Sequence, residues 1–263
     1  MKYTSKILIV TFSVLISIGL IASASFAEFE MEDAIGIWLF EENAGDVAKD
    51  LSPNGNDATL NGGPKWVKGK FGQAIEFDGS DDYLSAQDSD SLDAVGEGLT
   101  LMAWVDSGGW NAGWNHIIRK TPENPRYYIL GVHDTSLPFV FLQTDVQQYA
   151  DIQGPDPMPT DEWLHLAMTY NGEEIIIYAN GEVQLTSPAS GTIQASDGEL
   201  RIGRGAPAGY FTGIIDEVAI FRVALSQDEI KEIMDKGLTM TLLSVESHGK
   251  LTATWGNIKA SQY

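Results

Sequence analysis

Hydrophobic and polar residues alternate with a period of two along most of this chain, and turn-forming residues separate the runs. The pattern predicts strands over Ile35–Glu41, Ala74–Phe77, Tyr83–Ala86, Leu99–Asp106, His116–Lys120, Tyr127–Val132 and Phe139–Thr144. It continues with Trp163–Tyr170, Glu174–Ala179, Glu182–Thr186, Leu200–Gly203 and Gly213–Phe221. Within Trp163–Thr186, the pairs Asn171-Gly172 and Asn180-Gly181 punctuate three apolar runs, as in a meander joined by type I′ turns with positive φ at both central residues. One helix is predicted. Ser226-Gln-Asp-Glu229 has the form of a capping box, Ile230, Ile233 and Met234 give one apolar face, and Lys236-Gly237 closes the last turn. Many short strands and a single late helix predict an all-β, two-sheet antiparallel sandwich of the jelly-roll kind, with Trp38, Phe77, Trp104, Trp163, Ile176 and Ile220 mostly buried.

The two ends depart from this pattern. Residues 1–27 read as a secretory signal peptide: Lys2 and Lys6 precede the charge-free run Ile7–Ala22, and Ser25-Phe26-Ala27 puts small residues where signal peptidase cleaves. A run of 16 residues is short for a bilayer span, which needs about 20, so an uncleaved anchor is the alternative. The expected location is therefore secreted, periplasmic or cell-surface, with no membrane association once the signal is removed. The expected domain is 28–237. The tail 238–263 carries two apolar stretches separated by Ser247-His-Gly-Lys250 and suggests a hairpin.

Charge narrows the function classes. The 37 acidic and 16 basic residues give a net charge of -21, which disfavours nucleic acid and anionic membrane surfaces, since both need clustered Lys and Arg. The absence of cysteine removes disulfides, thiolate metal sites and cysteine nucleophiles.

A series of short motifs runs along the chain: Trp38-Leu-Phe-Glu41, Asp50-Leu-Ser-Pro-Asn-Gly-Asn-Asp57, Gly69-Lys-Phe-Gly72, Phe77-Asp-Gly-Ser-Asp-Asp-Tyr83 and Leu101-Met-Ala-Trp-Val105. They continue with Trp163-Leu-His-Leu-Ala167, Tyr178-Ala-Asn-Gly181, Ile202-Gly203 and Phe211-Thr-Gly-Ile-Ile-Asp-Glu-Val218, leading into Ala224-Leu-Ser226. In this order they resemble the laminin G-like or pentraxin-like jelly roll of the concanavalin A-like group, over roughly residues 34–237. The resemblance implies the fold and leaves function open, because the group includes lectins, adhesion modules and enzymes.

Candidate chemistry is sparse. Glu76 and Asp78 share a strand face, but Gly79 and Ser80 interrupt it; Asp216 and Glu217 are adjacent, so simple alternation points them to opposite faces. Neither pair forms the acid and base of a glycoside hydrolase. The histidines 116, 133, 165 and 248 show no metal-ligand spacing, and His165 reads as a structural residue beside Trp163. Asp50-x-Ser52-x-Asn54-Gly55 has the oxygen spacing that opens a calcium loop, and equally the composition of an Asx-type turn without metal. By the family resemblance, Glu41 and Asp216 would join Asp50 and Asn54 around a structural calcium. Trp110 and Trp114 in a Gly/Asn-rich loop, with Tyr149 and Tyr210, are candidate ligand-binding rings, or else caps on the sandwich edge. The loop Gln147–Thr160, rich in proline, reads as a rim. The preferred function is a secreted, non-catalytic module binding carbohydrate or an extracellular protein or matrix partner. The alternative is a carbohydrate-active enzyme of the same fold. The sequence leaves oligomeric state undefined.

Overall fold

The computed structural model describes residues 30–110, 113–120, 127–205 and 209–247. The expected signal peptide and residues 248–263 of the tail lie outside them. The strands are β1 (Ala34–Trp38), β2 (Val47–Ala48), β3 (Ala58–Asn61), β4 (Lys65–Lys68), β5 (Gln73–Asp78), β6 (Tyr83–Ala86), β7 (Leu99–Ser107) and β8 (Trp114–Lys120). After these come β9 (Tyr128–His133), β10 (Pro138–Gln143), β11 (Gln148–Gln153), β12 (Trp163–Tyr170), β13 (Glu174–Ala179), β14 (Glu182–Pro188), β15 (Leu200–Ile202) and β16 (Thr212–Phe221). Helices α1 (Gln227–Lys236) and α2 (Leu238–Ser247) end the described chain.

Two antiparallel sheets face each other, as the alternation predicts. The first runs β14-β13-β12-β7-β16-β5-β4, with β1 also paired to β16; the second runs β11-β10-β9-β8-β15-β6-β3-β2. Inward residues of both sheets, among them Trp38, Phe77, Val105, Leu130, Leu166, Ile202 and Ile220, form one continuous core. A second apolar layer lies on the outer face of the first sheet. There Ile230, Ile233, Leu238 and Leu242 of the two helices cover Ile37, Met102, Ala167, Tyr178 and Phe221.

The local signals decide several details. Asn180 and Gly181 both have positive φ, 50° and 74°, as a type I′ turn needs. At the other pair only Gly172 is left-handed, and Asn171 Oδ1 instead accepts the N–H groups of Glu173 and Glu174, both at 2.9 Å. The capping box forms: Ser226 N–H donates to Glu229 Oε2 at 2.7 Å, and Glu229 N–H donates to Ser226 Oγ at 3.3 Å.

Two expectations are corrected and one is refined. Residues 238–247 are helical where a hairpin strand was expected, because the apolar Leu238 and Leu242 are four apart and dock on the outer layer already started by α1. Trp163 and Ile176 are mostly buried as expected but less so than the other four, since both point to the outer face of the first sheet. The Gln147–Thr160 segment is partly strand: β11 pairs with β10, and Tyr149 is buried in the core.

Candidate functional site

Strand β16 is central to the first sheet. One of its edges pairs with β7 along its length. The other pairs with β5 at residues 212–215 and with β1 at residues 218–221. Between those two stretches lies a β-bulge, and Glu217 there adopts φ 50°, a left-handed conformation that costs energy for a residue with a Cβ. The bulge brings the Asp216 and Glu217 carboxylates to one face, where strict alternation would separate them. The Phe71 N–H donates to Asp216 Oδ2 at 3.0 Å, and the Leu238 N–H at the start of α2 donates to Glu217 Oε2. Glu41, just past the end of β1, accepts from Gln73 N–H at 3.3 Å. Glycine suits positions 69 and 72: a Cβ at 69 would press on the Gln73 carbonyl oxygen as well as the Asp216 carboxylate, and Gly72 has a left-handed φ of 59° with the Glu41 carboxylate against it. Burial, with Glu217 and Glu41 nearby, pushes Asp216 up to about 8, although the Phe71 hydrogen bond opposes it. Burial also pushes Glu217 up to about 7, again against its backbone hydrogen bond.

The structure therefore brings Glu41 and Asp216 together, but not with Asp50 and Asn54. Asp50 is turned to the opposite edge of β1, where its carboxylate accepts Ile37 N–H at 2.8 Å, Ser52 N–H at 2.8 Å, Ser52 Oγ–H at 2.7 Å and Asn56 N–H at 2.7 Å. Asn54 donates its side-chain amide to the carbonyls of Ala34 and Ile35. Strand β1 thus stands between the Asp50 turn and β16. The four-residue calcium site is not formed, and the Asp50 turn is a hydrogen-bonded clasp on β1. A buried carboxylate with this many donors needs no cation to offset its charge.

A different acidic group lies at one end of the sandwich. Asp78, Asp81 and Asp82 place carboxylate oxygens within 4.8 Å of one another, the one such acidic or histidine group among the described residues. Asp82 Oδ2 accepts Asp78 N–H at 2.9 Å, and desolvation, then Asp78 and Asp81, raise its carboxyl above the ordinary range despite that bond. These residues line a cleft of about 450 Å³, with Lys65, Glu76 and Thr212 on its sheet side. Tyr83 follows directly in the chain. The Arg204 guanidinium lies 4.4 Å from the Tyr83 ring centre and 5.3 Å from that of Tyr210, and the rings are 6.4 Å apart. Such cation–π contacts are worth about 0.5–1 kcal/mol at exposed sites and hold the rings at a fixed spacing.

The four expected ligand-binding rings separate. Tyr210 belongs to the Tyr83–Arg204 stack. Tyr149 is 7% exposed, and its hydroxyl accepts Ser190 N–H at 2.6 Å, so it is a structural residue. Trp110 packs on Phe211 at 6.3 Å and donates its indole N–H to the Met158 carbonyl at 3.1 Å, capping the core. Trp114 lies edge-on to His133 and Phe139, on the outer face of the second sheet. His165 is buried against Trp104, and desolvation lowers it to about 3, so it stays neutral, as a structural histidine should. Sequence reasoning missed Asp81 and Asp82 at the cleft, and Tyr83 and Arg204 in the neighbouring ring stack. The signal for the first three was the run Phe77–Tyr83, in which three acids stand between two aromatics; Arg204 had none.

A laminin G family model, described as the concanavalin A-like lectin/glucanases superfamily, matches residues 78–231, more than half of the chain. The chain belongs to that superfamily. Among individual proteins it is similar to mouse pappalysin-1, 28% identical over 209 residues, and to human pappalysin-1, 26% identical over 165 residues. Those matches cover 71% and 57% of this chain but only 13% and 9% of the relatives, so the chain spans a small part of their length. Among solved structures it is similar to domain 4 of AbnA, a GH43 extracellular arabinanase from Geobacillus stearothermophilus, in complex with arabinotriose. That match has a TM-score of 0.62 and 16% identity, covering 77% of this chain and 98% of that one. The receptor-binding domain of a botulinum neurotoxin C/D mosaic serotype also matches, at TM-score 0.62 and 15% identity over 79% of this chain and 52% of that one. At these identities the likeness is one of fold.

Proposed function

We propose that this chain is a secreted, non-catalytic binding module that recognises carbohydrate through the cleft at the Asp78–Tyr83 end of the sandwich. The observation that carries this reading is an acid-lined cleft whose residue Asp82 is followed directly in the chain by Tyr83, a ring that Arg204 spaces from Tyr210. Carboxylates accept hydrogen bonds from sugar hydroxyls, and tyrosine rings offer apolar faces with a polar tip. The arabinotriose complex of the structural neighbour and the extracellular nature of that enzyme are in keeping with it. Binding is favoured over catalysis by the placement of the two most raised carboxyls. Asp216 and Glu217 are buried beneath the Gly69–Gly72 loop and the start of α2, and neither lines the cleft. The calcium anticipated from the sequence is proposed for the Asp78–Asp82 turn, where three like charges meet and a cation would offset their repulsion.

The test is a glycan array on the purified protein, with calcium and with excess chelator, repeated for Arg204→Ala. Binding of defined glycans that Arg204→Ala weakens supports the reading. Release of reducing ends from a bound glycan would favour the enzyme alternative, and binding to no glycan on the array would overturn the carbohydrate reading.

A further inference from the structure

The outer face of the first sheet is divided. The helices cover the end carrying Met102 and Phe221. Over its middle lies the Gly69–Gly72 loop, with Lys70 Nζ 4.1 Å from the Trp104 ring centre and the Phe71 ring 6.4 Å from it. Beyond the loop, five side chains stand in one line across five strands. Trp163 of β12 is registered with Asp106 of β7, Asp106 with Ile214 of β16, Ile214 with Glu76 of β5, and Glu76 with Lys65 of β4. Directly paired residues of antiparallel strands share a face. The inward neighbours Leu164, Val105, Ile215 and Ile75 are all in the core, so this line points outward. Its five members are half-exposed or exposed.

The chemistry of the line is specific. Trp163 is held edge-on by Trp104, 6.5 Å between ring centres and 84° between planes, which fixes its ring without hiding it. The Asp106 and Glu76 carboxylates accept no hydrogen bond from any described residue. Desolvation, then Asp161 and Glu162, raise the Asp106 carboxyl, so a donor brought to it would relieve a real cost. One row inward on the same face, the Trp104 indole N–H and His165 Nδ1 are buried and have no hydrogen-bond partner among the described residues. At its far end the line opens into the acid cleft, whose wall includes Glu76 and Lys65. An aromatic plate, an apolar step and acceptors at intervals match a chain of hydroxylated rings. The surrounding acids disfavour uronate sugars.

We infer that this row is a second, contiguous binding surface that extends the cleft, and that the ligand is a linear, uncharged oligosaccharide lying across the strands with one ring on Trp163. The inference rests on the carbohydrate reading above and deepens it. Strands lie about 4.8 Å apart, so the row spans about 19 Å, a length that fits several linked sugars rather than one.

The experiment is isothermal titration of the full chain with linear arabino- and xylo-oligosaccharides from disaccharide to hexasaccharide. Affinity should rise by roughly tenfold or more between the shortest and the longest, and Trp163→Ala should remove that rise while leaving the disaccharide unchanged. Because Trp163 also braces Trp104, Asp106→Asn serves as the second variant, since Asp106 stands in the row and does not line the cleft. The substitution keeps the size of the side chain, and it should reduce the gain for the longer chains alone. Binding that does not change with length or with either variant would overturn the extended surface and leave the cleft reading standing. No binding by any member of either series would overturn the inference, and the array decides separately whether the carbohydrate reading survives.

Discussion

The Phe71 amide donates to the Asp216 carboxylate across 145 residues of sequence, at 3.0 Å. This bond closes the gap that opens where β16 changes partner from β5 to β1. Glu41 and Glu217 lie near the same gap, close enough that the three carboxylates repel one another where a sheet would otherwise have a seam.

That arrangement makes stability depend on pH with a definite sign. The folded Asp216 carboxyl titrates near 8 and the unfolded one near its ordinary 3.8, so the native state keeps a proton that the unfolded chain releases. The unfolded state binds fewer protons in this window, and stability falls as pH rises from about 4 to about 8, then levels off. Glu217, raised to about 7, adds the same sign over a narrower range. Thermal unfolding should show a midpoint that declines across this window. Asp216→Asn keeps an acceptor for Phe71 and should flatten the decline. A midpoint that climbs from pH 5 to pH 8 would mean that these carboxyls ionise at no cost.

Helix α1 depends on its first turn. Ser226→Ala removes the side chain that accepts the Glu229 N–H and should destabilise the protein by about 1 kcal/mol, within the 0.5–2 kcal/mol typical of such caps. Denaturant unfolding with an unchanged slope and a lower midpoint is the expected result. An effect near zero would show that packing of Ile230 and Ile233 alone holds the helix.

Tyr149→Phe separates structure from recognition. Its hydroxyl takes the Ser190 N–H and tethers the 190 loop to β11, so the variant should lose about 1–3 kcal/mol of stability from an unsatisfied donor. Glycan affinity should be unchanged. A drop in affinity with no drop in stability would return Tyr149 to the ligand-binding set.

Calcium should act at the Asp78–Asp82 turn and not at Asp50. Adding calcium should raise the melting temperature in proportion to RT ln(1 + [Ca]/Kd), and Asp81→Asn should abolish the rise. Asp50→Asn should lower stability equally with and without calcium, because Asp50 is held by backbone donors. A calcium response that survives Asp81→Asn would place the cation elsewhere.

The repeating part of the fold was legible in the sequence, and its exceptions were not. Period-two alternation located β6, β12 and β13 to the residue, because the inward face of each is packed in the core and turn residues bound each run. The short strands β2, β3 and β4 carry too few apolar residues to alternate visibly; β2 and β3 are recruited by pairing with neighbours, and β4 by pairing with β5. Alternation failed at Asp216-Glu217 because a bulge resets the count, and nothing in that dipeptide announces a positive φ at a glutamate. The ligand candidates failed for a related reason. Composition said that Tyr149 lies in a proline-rich loop, while pairing of β11 with β10 turns it inward. The Tyr83–Arg204–Tyr210 stack joins residues more than a hundred positions apart, and no local pattern carries such a contact.

The central position of β16 also constrains how the molecule is made. Strands β1, β5 and β7 are complete within the first 107 residues, yet the strand that joins them to one another is residues 212–221. A growing chain therefore leaves the ribosome with the middle of one sheet missing until nearly all of the domain has been synthesised, and contacts this distant in sequence form slowly. The meanders β8–β11 and β12–β14 can pair as they emerge, but until the last strand is made the first sheet remains three unjoined pieces, β14-β13-β12-β7, β5-β4 and β1.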